Sequence, residues 1–246
     1  IDKNTKAIIP VHLNGRYCLT NKIIDECKKS NIPILEDACQ AFASETTDGQ
    51  IIGSNSQIAC FSFGVTKLVT CGQGGCLVTS SDEFYQISKK VKYNGLENYL
   101  FPKYEMQGLN FKQSDILSSL LFGELKNYRK YKKRVTDIYD IYRKKISNKN
   151  IFFTARDPLA VPLYSQVQVK PVNRKSLLGY AKDNGIELRE VPPCYGNSKY
   201  FNSFDQNRNF EGANSFCEST VYLPSGPGRS NNEIDYVSKV LNDWKV

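Results

Sequence analysis

The residue around which chemistry can be organised is Lys67. It follows the apolar run Ile58-Ala59-Cys60-Phe61-Ser62-Phe63 and the loop Gly64-Val65-Thr66, and it precedes the glycine cluster Gly72-Gln73-Gly74-Gly75. An amine held between a strand and tight turns suits Schiff base chemistry, because it must be neutral to attack a carbonyl and its pKa falls readily on desolvation. A second apolar run, Ile32-Pro33-Ile34-Leu35, ends in Glu36-Asp37-Ala38-Cys39-Gln40-Ala41. A carboxylate delivered there has a matching use, since it can pair with the protonated ring nitrogen of pyridoxal phosphate and keep that ring electron-withdrawing. The competing readings are a surface loop lysine for Lys67 and a helix cap for Asp37.

Such residues meet only if strands deliver them to a common edge. The short apolar runs at 32–35, 58–63 and 76–79, bounded by glycine and polar clusters, read as buried strands. In open α/β sheets, ligands bind in the crevice beyond the carboxyl ends of such strands. Upstream, Ala7 to Leu13 reads as a strand with an irregularity at Pro10, and Asn14-Gly15 as a turn. Thr20 can cap a helix that carries Ile23, Ile24 and Cys27 on one face. Strand, helix and strand form a βαβ unit, which is normally right-handed and parallel. His12 is the only histidine; its apolar neighbours favour a satisfied structural histidine over a base.

A helix is expected from Asp82 to about Tyr93, stopped at Asn94-Gly95, with an irregular loop over Leu96 to Met106. A long helix is expected from Ser114-Asp115, with Ile116, Leu117, Leu120, Leu121 and Leu125 inward, bridging to a second domain. The domains are therefore read as 1–125, a linking helix over 126–150, and a smaller α/β domain over 151–246. Within the last, strands are expected at Ser165 to Val169 and Ile186 to Arg189, helices at Asn173 to Asn184 and Asn231 to Trp244, and a loop over Tyr195 to Asn209.

The 246 residues, 40% hydrophobic and 24% charged, suffice for a proper core. The net charge of +8 invites a nucleic acid reading. However, the basic residues concentrate in Lys126 to Lys133 and Arg143 to Lys149, around an apolar periodic segment, and read as the solvated face of a helix. No run reaches the roughly eighteen apolar residues of a membrane helix, and a cytoplasmic location is expected. The eight cysteines show no CxxC spacing, so reduced thiols and no metal site are expected.

Glu36 to Ala41, Phe61-Ser62-Phe63 with Lys67, Gly72 to Gly75, and Gly108-Leu109-Asn110-Phe111 together resemble the sugar aminotransferases of the DegT/DnrJ/EryC1/StrS family. The likeness runs from Pro10-Val11-His12-Leu13 to Leu223-Pro224-Ser225-Gly226-Pro227. It implies fold type I, an α/β fold with a mostly parallel sheet and a smaller C-terminal α/β domain, and pyridoxal 5'-phosphate as cofactor. Lys67 would carry the Schiff base and then act as the base of the proton shift. Asp37 would be the ring-nitrogen partner, Gln40 the amide beside the ring hydroxyl, and Ser62 a phosphate ligand. Asn110 would reach the phosphate in a neighbouring subunit's site, making a homodimer with shared active sites, against the plainer reading of a turn asparagine. The substrates implied are an amino acid donor, glutamate, and a nucleotide-linked keto sugar.

The family carries a further segment ahead of the Pro10 strand, with a glycine-threonine phosphate loop and an aromatic residue that stacks on the cofactor. This sequence does not contain it, so a fragment, or a part supplied by another polypeptide, is expected. Gln73, Lys112 and Tyr195 stand where the family usually has glutamate, arginine and histidine, and the last two leave the sugar unnamed. The rival readings are a sugar dehydratase of the same family, against which Lys67 speaks because histidine takes its place there, and a catalytically inactive homologue.

Overall fold

The computed structural model describes residues 1–98, 100–202 and 209–246. It divides into two compact units, Ile1–Lys132 with Asp157–Leu163, and Lys133–Arg156 with Tyr164–Val246.

The first unit is built on β1 (Leu35–Asp37), β2 (Ile58–Ser62) and β3 (Gly75–Val78), in the order β1-β2-β3. β1 and β2 are parallel, with Asp37 opposite Cys60; β2 and β3 are antiparallel, with Ser62 opposite Gly75. The strand expected at Ala7 to Leu13 is reduced to two isolated parallel bridges, Ile8 to Ile34 and Val11 to Asp37. Pro10 has no N–H to donate, so the ladder is broken there. Its carbonyl still accepts the Asp37 N–H at 2.9 Å, and the His12 N–H donates to the Asp37 carbonyl at 3.0 Å. Both backbone groups of Asp37 are thus held by the Pro10–His12 segment.

Between these segments runs α1 (Asn21–Lys29), whose Thr20 hydroxyl accepts the Ile23 N–H. Cys27 buries against Leu19 and Ile34, whereas Ile23, expected inward, is exposed. α2 (Asp82–Lys92) is capped by Ser81 and stops at Asn94 and Gly95, both at positive φ. The single long helix expected from Ser114 is two helices, α3 (Asp115–Leu125) and α4 (Tyr128–Lys145). Leu117, Leu121 and Leu125 pack on Phe63, Val69 and Cys71, but Ile116 is 75% and Leu120 is 56% exposed. Leu117, Leu121 and Leu125 recur every four residues along one stripe, and Ile116 and Leu120 lie beside that stripe, away from the packed neighbours.

The second unit holds an antiparallel sheet in the order β4-β5-β7-β6: β4 (Phe152–Phe153), β5 (Ser165–Gln168), β6 (Arg189–Glu190) and β7 (Thr220–Leu223). The strand expected at Ile186 to Arg189 forms only at its end, while Ile186 and Leu188 are buried as apolar anchors. α5 (Pro171–Asp183) begins on Pro171 in the first turn, where the missing N–H costs nothing. It closes with Gly185 at φ +70° and the Ile186 N–H on the Ala181 carbonyl. Within the loop expected over Tyr195 to Asn209 lies the short α6 (Lys199–Asn202); 203–208 of that loop lie outside the described residues. α7 (Glu211–Ser219) runs straight into β7. α8 (Asn231–Asp243) starts on a reciprocal cap between Ser230 and Glu233. Ile138, Tyr142, Val167, Leu177, Val221, Ile234 and Leu241 form this unit's core.

Candidate active site

The carboxyl ends of β1 and β2 place the chemistry in the first unit. Asp37 closes β1 and is half-buried; its Oδ1 accepts the Cys39 N–H at 3.1 Å. No helix follows it. The chain turns instead, with the Ala41 N–H on the Ala38 carbonyl, so Asp37 fixes a turn and leaves its second carboxylate oxygen outside that bond. Gln40 sits in this turn rather than on a helix, and its Oε1 accepts the Asn14 N–H at 3.1 Å.

Ser62 closes β2, two residues beyond the Asp37 register, and its hydroxyl accepts the Gly64 N–H at 3.3 Å. The next turn is tied by the Lys67 N–H on the Gly64 carbonyl at 3.0 Å, and the loop returns when the Cys71 N–H meets the Phe63 carbonyl. Two glycines let it close on itself. A Cβ on Gly74 would stand 2.6 Å from the Gln113 amide oxygen, and one on Gly75 2.7 Å from the Phe61 carbonyl. Lys67 is half-buried and lines a small cavity with Cys39, Gln40, Phe42, Leu68, Val161 and Leu163.

The structure thus brings Lys67 and Gln40 to one opening, with Asp37 bonded to the backbone of a third lining residue. Ser62 is at the same strand edge. Asn110 stands elsewhere: it is exposed and bridges Tyr93. Phe42, Leu68, Val161 and Leu163 were not singled out from the sequence. The last two come from the segment 157–163, which the Val161 N–H to Ser44 hydroxyl bond (2.9 Å) ties into this unit; no periodic signal marks so short a return.

Behind Asp37, His12 and Glu36 are fully buried, and the imidazole Nε2 lies 2.8 Å from Glu36 Oε2. The Cys18 N–H points at Nδ1 (3.3 Å), so Nε2 carries the proton shared with Glu36. The Gly53 and Asn55 N–H groups also donate to the carboxylate, each at 3.2 Å. Burial pushes Glu36 up, but His12, the Ser56 hydroxyl and the Gly53 N–H outweigh it and hold it below the usual carboxylate range.

A half-buried amine, a carboxylate fixed at a strand end and a hydroxyl beside a glycine turn form a donor set that fits pyridoxal phosphate: a carbonyl partner, a ring-nitrogen anchor and an anion contact. Residues 1–242 match the DegT/DnrJ/EryC1/StrS aminotransferase family. The chain belongs to this family. Among its relatives is the GDP-perosamine synthase of Escherichia coli O157:H7, 27% identical over 99% of the chain and 67% of the relative. The GDP-perosamine synthase of Vibrio cholerae is 22% identical over 99% of the chain and 68% of the relative. Helicobacter pylori PseC, an aminotransferase involved in the biosynthesis of pseudoaminic acid, superposes with a TM-score of 0.91 over 98% of this chain and 67% of its own, at 19% identity. S. venezuelae DesV superposes with a TM-score of 0.89 over 99% and 66%, at 23% identity. The fold is type I, and the chain spans about two thirds of the length of these relatives.

Among the described residues, no helix is long and apolar enough to cross a membrane.

Proposed function

We propose that this chain carries the amine and the ring-nitrogen anchor of a pyridoxal-phosphate-dependent aminotransferase, which moves an amino group from glutamate to the keto group of a nucleotide-linked sugar. The observation that carries this reading is that Lys67 lines one cavity with Gln40 and Cys39, while Asp37 is bonded to Cys39.

When bound, the cofactor supplies an electron sink for the donor's α-carbon. The chain supplies the rest. Lys67 would hold the cofactor covalently at rest, and its amine, once freed, would serve as the base that moves the α-proton. Asp37 would keep the proton on the ring nitrogen, Gln40 would hold the ring hydroxyl and Ser62 would help hold the phosphate. The two GDP-perosamine synthases among the relatives support a nucleotide-linked sugar as acceptor. Exposed Leu109, Phe111, Ile116, Leu120 and Phe122 support association with a second copy, where Asn110 would act.

Borohydride reduction of the cofactor-loaded whole protein, followed by peptide mapping, tests this. The covalent label is expected on Lys67 and is lost in Lys67→Ala with circular dichroism unchanged. A label on another lysine overturns the assignment.

A further inference from the structure

Asp37, Cys39 and Cys60 bring three potential ligand atoms within 4.8 Å of one another. Parallel pairing sets Cys60 beside Asp37, and the turn after β1 folds Cys39 back onto the same spot. The two sulfurs lie 3.8 Å apart, and Cys60 Sγ lies 3.9 Å from Asp37 Oδ1. In a tetrahedral zinc site, Zn–S bonds of about 2.3 Å place two sulfurs roughly 3.8 Å apart, and a carboxylate oxygen roughly 3.5 Å from each. The thiols therefore already hold the separation that a shared ion imposes, and the Asp37 carboxylate lies within 4.8 Å of both.

We propose that Asp37, Cys39 and Cys60 bind a thiophilic divalent metal ion of the Zn²⁺ class, with water in the fourth position. Two thiolates and one carboxylate select such an ion over Mg²⁺ or Ca²⁺. On binding, the two thiol protons pass to solvent, and no electron is transferred. All three residues are half-buried, so the ligands are shielded yet reachable, and Cys39 opens onto the cavity that Lys67 lines. Cys27 and Cys71 differ in kind, being buried members of apolar clusters. Because Asp37 is also assigned to the cofactor's ring nitrogen, metal and pyridoxal phosphate exclude one another; that corollary alone rests on the proposed function.

The test is equilibrium dialysis of the reduced, cofactor-free whole protein against Zn²⁺, with Co²⁺ absorption as a second readout. One ion per site is expected, with the sulfur-to-cobalt charge-transfer band of thiolate ligation. Cys39→Ala and Cys60→Ala should each weaken binding at least tenfold and lose that band, while Cys76→Ser, at an exposed cysteine, should leave both unchanged. Circular dichroism establishes that each variant is folded. Zn²⁺ binding that is absent, or is indifferent to Cys39→Ala and Cys60→Ala, overturns the site. Pyridoxal phosphate should displace the ion. Cysteine-dependent binding that persists in saturating cofactor would keep the metal site and overturn instead the placement of the cofactor ring at Asp37.

Discussion

The imidazole of His12 and the carboxylate of Glu36 meet at 2.8 Å with no solvent access to either side chain. The pair adjoins Asp37 on two sides of the chain, since His12 N–H binds the Asp37 carbonyl and Glu36 precedes Asp37 in β1. Side chains alternate across a strand, so Glu36 and Asp37 point to opposite faces. One holds the sheet from behind and the other serves the opening.

Removing the imidazole strands part of a buried anion's shell. His12→Ala is expected to cost about 2–4 kcal/mol in urea unfolding. Glu36→Gln also destabilises, but the double variant should lose about 1 kcal/mol or more less than the sum. Strict additivity would show that the two side chains do not interact energetically.

The same carboxylate makes stability pH-dependent on the acid side. Its folded pKa is lowered from the ordinary value of 4.5. Its contribution is therefore fully present above pH 4.5 and is lost as pH falls through the lower folded value. Unfolding midpoints between neutral and acid pH should decline less steeply in Glu36→Gln than in the parent. Parallel curves would place the acid sensitivity in other groups.

Gly15 and Gly49 share a φ of +82° but differ in surroundings. A Cβ on Gly15 would lie 2.2 Å from the Val161 carbonyl oxygen, a backbone atom, whereas one on Gly49 meets nothing within 4 Å. Gly49→Ala is expected to cost about 1 kcal/mol from strain alone. Gly15→Ala adds overpacking and should cost about 2–4 kcal/mol. Equal losses would mean that segment 157–163 yields freely.

Asp37→Asn separates the chemical role of this residue from its structural one. An asparagine oxygen can still accept the Cys39 N–H, so the turn survives. On the proposed function the ring nitrogen would lose its anion, and the half-reaction with glutamate should slow roughly 100-fold or more while donor affinity changes little. Stopped-flow absorbance of the cofactor reads both. A wild-type rate would leave Asp37 with only its turn.

Sequence alone determined the elements whose signals are local. Thr20 and Ser114 cap the helices that follow them, because a cap acts on N–H groups only two or three residues away. Ile234, Val237, Val240 and Leu241 are buried because a 3.6-residue period already puts them on one face. Lys67, Asp37, Gln40 and Ser62 were legible as types at strand ends. Their meeting was not. That Cys39 touches Cys60 depends on parallel pairing of β1 with β2. That Val161 lines the cavity depends on a return of the chain to Ser44. α7 and β7 gave little signal, as α7 lacks a side-chain cap and passes into the strand with no turn between them. Ile116 and Leu120 fit an inward pattern yet face outward, since periodicity gives the angle between residues and only the packed neighbours decide which side is the inside.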